Sequence, residues 1–225
     1  MNEILDEINA AKHIEIVVEK EYLFVGSALY TYILTLHKKV SLVCKEKSID
    51  LKFSFLPWFD KIKRTDTPSA EYSLKLECSS LELYELFRLS NIKINKKIAT
   101  ALYGAVLYET KGFTNSNLNG TILAVCSELI KCGAEYKLAT ESILKRSSLG
   151  FLRLKSIMLQ NMILLNDAKA AVFVVSNDDL KATATDMQDA KDIIVEAFNL
   201  RYVEIVVLLS SDKKNEVIQI LNKEI

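Results

Sequence analysis

Few side chains in this sequence have the types and spacing that chemistry needs. Glu19 and Glu21 lie in a turn between a strand-like run, "HIEIVV" from His13, and a helical run that reads as opening at Gly26–Ser27. A turn of this kind sits at the carboxyl end of a strand, where ligands and metals collect in open α/β sheets. The rest of the turn, from Val17 to Val25, offers Tyr22, Leu23 and Phe24, with no His, no Asp and no glycine before Gly26. His13 and His37 stand apart, one at a strand start and one at a helix end beside Lys38 and Lys39, and read as structural or surface residues. Cys44, Cys78, Cys126 and Cys132 form no C-x-x-C pair, and most sit in apolar segments, as reduced core thiols do. "TKGFTNSNLNG" places Thr110, Lys111, Gly112, Asn115 and Ser116 ahead of a helix. It reads first as a simple loop and second as a turn whose backbone amides bind an anion.

The elements that must position these residues alternate between β-rich and helical patterns. A helix from about Asn2, a strand near His13–Val18, a helix from Gly26 and a strand near Val40–Cys44 make a βαβ unit and predict a parallel sheet flanked by helices. "YSLKLEC" reads as a further strand, and "SSLELYELFRLS" as a helix capped by Ser79 or Ser80. Helical patterns then begin near Asn95, Asn117, Tyr136 and Gly150. After Leu165 the pattern returns to strand, helix, strand and short strand, a small α/β module. The expected organisation is one α/β domain over 1–149, a connecting helix over 150–166 and a second module over 167–225.

Of the 225 residues, half are hydrophobic, and 29 Lys plus Arg balance 29 Asp plus Glu. Zero net charge gives no field to draw the chain to extended nucleic acid or to an anionic membrane. Apolar runs fall short of the ~18 residues a membrane span needs. The acidic start "MNEILDEINAAK" lacks a signal peptide's basic region, so the expected location is cytoplasmic.

The order of "AKHIEIVV", "GSALYTYILTLHKKVSLV", "FSFLPWFDKI", "SSLELYELF", "ATALYGAVLYETKGFTNSN" and "AVFVVSNDDLKATATDMQDAKDIIVEAF" resembles the DHH phosphoesterases, especially their oligoribonuclease and phosphoadenosine-phosphate phosphatase branch. The resemblance implies hydrolysis of phosphoesters by two manganese ions, which generate hydroxide and clamp the scissile phosphate. Its ligands are a His and two Asp in the first βα loop, an Asp after a later strand, an Asp-His-His triplet and an Asp before a Thr-Gly-like turn. Matched position by position, the His falls on Val17, the loop Asp residues on Glu21 and Leu23, and the later Asp residues on Glu77 and Glu109. The triplet has no counterpart between Cys78 and Ser79, and no His follows His37. The resemblance also implies a glycine-rich GGGH turn in the second module, and none occurs up to Ile225. The expectation is therefore a degenerate, shortened relative with no cofactor, which binds a protein partner or a second copy of itself. Two alternatives stay open. One is a sensor that binds a nucleotide or short oligonucleotide in the old cleft, and the other is a residual metal-dependent phosphoesterase with a rebuilt site. Separately, Glu21, Glu77 and Glu109 read first as solvated or salt-bridged carboxylates and second as a weak single-ion Mn²⁺ or Mg²⁺ site.

Overall fold

The computed structural model describes residues 2–46, 49–115, 118–145, 147–212 and 216–223, which fall into two compact units, 1–146 and 147–225. In the first unit, β1 (His13–Val17), β2 (Lys39–Val43) and β3 (Tyr72–Lys75) form a parallel sheet in the order β2-β1-β3. Parallel neighbours need a crossover, and α2 (Leu23–Thr35) supplies the one between β1 and β2. Every residue of α2 from Leu23 to Ile33 is buried, so the helix is apolar all round and forms the centre of its unit, packed against β2 and α4 (Lys96–Glu109).

This corrects the expected helix start. Gly26 does not open α2 but lies within it, after a 3₁₀ turn over Lys20–Tyr22. A Cβ at Gly26 would meet Leu42 Cδ1 and Val18 Cγ1 at 3.0 Å, and one at Gly104 of α4 would come 2.8 Å from the Phe55 ring. Both glycines cost helix propensity, about 1 kcal/mol each, and both let α2 approach its neighbours closely. Phe24 fills the resulting space with Phe53 and Tyr108, ring centroids 4.9 and 5.3 Å away.

Alternate residues of β1 point to opposite faces, and His13 to Ile16 are all buried. Ile14 and Ile16 join the apolar core. His13 and Glu15 lie under the 63–73 segment, where every polar atom finds a partner. Glu15 accepts from the Thr67 amide and from Ser73 Oγ at 3.0 Å. His13 Nδ1 lies 2.9 Å from the Ser69 carbonyl, and its Nε2 lies 3.2 Å from Ser41 Oγ, which also accepts from Lys63 Nζ.

Among the described residues, the remaining α-helices of this unit are α1 (Asn2–Ala10), α3 (Ser80–Leu89), α5 (Gly120–Lys131) and α6 (Tyr136–Thr140), the last continued by a π-helical segment over Glu141–Lys145. Ser79 caps α3 in a reciprocal box with Glu82. Asn119 caps α5, and Asn117, where that helix was expected to begin, lies outside the described residues.

The second unit is a four-stranded sheet of β4 (Ile163–Leu165), β5 (Ala170–Val175), β6 (Ile205–Ser210) and β7 (Glu216–Asn222), in that order. Only β5 and β6 are parallel; both outer strands run antiparallel to their neighbours. The helix expected over 150–166 is α7 (Leu149–Gln160), which ends before β4 and packs on β5 and on the two helices that join β5 to β6, α8 (Asn177–Thr183) and α9 (Met187–Ile194). The uniformly apolar string "MILL" reads equally well as helix or strand, and pairing with β5 decides it. Leu154, Met158, Phe173, Ile193 and Leu208 are the centre of this unit's separate core.

Candidate functional site

In the strand order β2-β1-β3 the chain leaves β1 first to one side and later to the other, which makes the carboxyl ends of β1 and β3 the expected ligand crevice. A cavity of about 690 Å³ opens there, within the range of small-molecule sites. Its apolar wall is Val17, Val18 and Leu76; its charged residues are Glu19, Glu46, Glu77, Lys45 and Lys75. Each follows or ends a strand, since Lys45 and Glu46 come after β2 and Lys75 closes β3. Both lysines are paired, Lys45 with Asp66 at 2.7 Å and Lys75 with Glu77. A smaller cavity of about 230 Å³ shares Lys75, Leu76 and Glu77 and adds Ile4, Leu29 and Cys78.

Of the five positions matched to metal ligands, Val17 and Glu77 line this cavity, whereas Glu21, Leu23 and Glu109 do not. Val17 lines the cavity and provides no donor. Leu23 is fully buried in the first turn of α2, in the core, and does not line the cavity. Glu21 sits exposed in the 3₁₀ turn, where its charge helps raise the pKa of the buried Cys44 thiol, after burial itself. Glu77 lines the cavity and holds Lys75.

Glu109, at the end of α4, accepts from the amide of Ser80 at 2.8 Å with one carboxylate oxygen and from the Ser80 hydroxyl at 2.6 Å with the other. It therefore serves the first turn of α3, whose free amides favour an anion. Burial of the carboxyl group lifts the Glu109 pKa, the Ser80 bonds lower it, and the charge of Glu82 adds to the rise, with a net upward shift.

Among the described residues, no three His, Cys, Asp or Glu side chains are grouped so as to hold a metal ion. The donors present do not fit a pair of hard divalent cations, which require several carboxylates or imidazoles converging at fixed distances.

The second candidate, the turn after α4, has left-handed backbone at Lys111, Gly112 and Phe113. Its amides are engaged within the segment. Lys111 donates to the Tyr108 carbonyl, Gly112 to Leu107, Phe113 to Thr110 Oγ1, and Thr114 and Asn115 both to the Thr110 carbonyl. These bonds close the carboxyl end of α4. Ser116 lies outside the described residues.

The cysteines are all free. Burial pushes the Cys78 thiol up to about 12, helped by the charges of Glu82 and Glu109, and the Cys126 thiol up to about 11. Thiols held so far above neutrality are poor nucleophiles and poor metal ligands.

No family model and no curated protein matches the chain. Among solved structures, an exopolyphosphatase-related protein from Bacteroides fragilis superposes with a TM-score of 0.76 over 95% of this chain and 80% of that one, at 14% identity. The likeness is one of fold. It shows an α/β architecture similar to that protein, with a parallel sheet flanked by helices and a second sheet. A putative family II inorganic pyrophosphatase from Methanococcus jannaschii also matches over 88% of this chain and 83% of its own, at 13% identity, but with a TM-score of 0.36. Among the described residues, no helix is long and apolar enough to cross a membrane.

Proposed function

We propose that this chain is a phosphoesterase-like protein that does not hydrolyse phosphoesters and works as a protein-binding, scaffolding or regulatory subunit. The fold shared with an exopolyphosphatase-related protein supports the first half of this reading. The observation that carries the second is the commitment of Glu109, both of whose carboxylate oxygens accept hydrogen bonds from Ser80. Two donors from one residue fix this carboxylate on the start of α3, and coordination through its remaining lone pairs would need further donors to converge there, which none of the described His, Cys, Asp or Glu residues does. The exposed apolar residues of the second unit's sheet are consistent with a protein partner.

The test is turnover of bis-p-nitrophenyl phosphate, phosphoadenosine phosphate and dinucleotides with Mn²⁺ present. The expected rate is no higher than that of a Glu21→Ala, Glu77→Ala, Glu109→Ala triple variant. A rate well above the variant's would establish a rebuilt metal site and overturn the reading.

A second reading, nucleotide binding without cleavage, is favoured by Lys45 and Lys75 at the cavity, which could exchange their present partners for phosphate oxygens. Calorimetric titration with nucleotides separates the two, because this second reading requires binding that Lys75→Ala abolishes.

A further inference from the structure

Within the second unit, the described helices cover one face of the sheet. Phe173, Val206 and Leu208 point into the core beneath α7 and α9. The opposite face is continuous across all four strands, because Ile163 lies opposite Val172, Val172 opposite Val207, Val207 opposite Ile220, and Leu209 opposite Val217. On the outer strands Ile163, Val217 and Ile220 are 53%, 51% and 57% exposed. No residue paired across this face carries a charge. From the exposed fractions of its residues, the patch presents roughly 500 Å² of apolar surface, at the upper end of what monomers expose.

We infer that this face docks a second copy of the chain, sheet on sheet, about a two-fold axis. An uncharged surface of branched side chains is complementary to itself, since sheets pack face to face at a separation of about 10 Å by interdigitating such residues. A two-fold contact brings each patch residue of one copy against the same patch on the other, so the whole patch is buried twice. Doubling the patch and adding its rim gives roughly 1,000–1,200 Å², the lower limit of a specific interface. The chain's net charge of zero adds no repulsion between copies. Nucleic acid or a highly charged protein would find no counter-charge on this face.

This inference deepens the binding role proposed above by naming a partner. It is read by mass rather than by turnover, so its failure would leave the absence of hydrolysis standing. The experiment is sedimentation equilibrium of the full chain at micromolar concentration, on wild type, Ile220→Lys and Ile163→Lys. Both substitutions sit on exposed positions of opposite edge strands, and circular dichroism identifies which variant keeps its fold. The expected result is a wild-type mass of twice 25.4 kDa, falling to 25.4 kDa in a folded variant. A wild-type mass of 25.4 kDa, as a face reserved for a different protein would give, overturns the inference. So does a dimer that persists in either folded variant.

Discussion

At its amino end β1 buries His13 and Glu15 beneath the 63–73 segment, whereas at its carboxyl end Val17 and Val18 open onto a cavity whose charged residues stand in solvent. The ionisable groups in the first region are enclosed and matched by fixed donors and acceptors, which stabilises one arrangement of strand and loop. In the second, the two lysines form ion pairs on flexible stems, Lys75 with Glu77 and Lys45 with Asp66. In an open α/β sheet the carboxyl end is where preorganised polar groups are expected. Here the preorganisation lies at the opposite end, where it serves folding, and the crevice is left with exposed charged side chains, its two lysines in ion pairs.

Truncation should separate the two regions most strongly. Glu15→Ala removes a buried carboxylate together with its bonds from the half-buried Thr67 amide and the Ser73 hydroxyl, and should cost about 2 kcal/mol in urea unfolding. Glu77→Ala removes an exposed ion pair and should cost less than about 1 kcal/mol. Equal costs would remove the distinction between the two ends of β1.

A smaller effect concerns Glu109, whose pKa is raised in the folded protein, with burial as the largest cause. For an acid with a raised folded value, stability is greatest below its ordinary pKa of 4.5 and declines as pH rises through the folded value. Glu109→Gln carries no charge at any pH. Its stability relative to wild type should therefore improve between about pH 4 and about pH 7, measured by urea melts across that range. If the variant instead loses ground as pH rises, the Ser80 bonds outweigh burial, and the carboxylate is a better anion site than its surroundings indicate.

Much of this architecture is legible in the residues, and the misses have physical causes. The βαβ pattern and the parallel sheet it implies follow from apolar periodicity, and Ser79 with Glu82 announces the start of α3. Gly26 misleads because a glycine after a polar turn looks like a helix start, while its function, close approach to Leu42 and Val18, depends on residues distant in sequence. The role of Glu109 was hidden for the same reason, since Ser80 lies 29 positions earlier. Likewise, nothing local to Thr110–Asn115 reveals that its amides turn inward. The cavity's Lys45, Glu46 and Lys75 could have been found from their place at strand ends, a signal available in the sequence but carried by no motif.

The central claim is that the crevice at the carboxyl ends of β1 and β3 does not hold a metal pair, and thermal unfolding with and without Mn²⁺ tests it most directly. An ion that binds only the folded protein stabilises it by RT ln(1 + [L]/Kd), so a thousandfold excess over Kd adds about 4 kcal/mol. For a chain of this size that shift would be roughly 8–16 °C. The account predicts a melting temperature unchanged to within about 1 °C at millimolar Mn²⁺. A rise of many degrees, abolished by Glu21→Ala or Glu77→Ala, would contradict it.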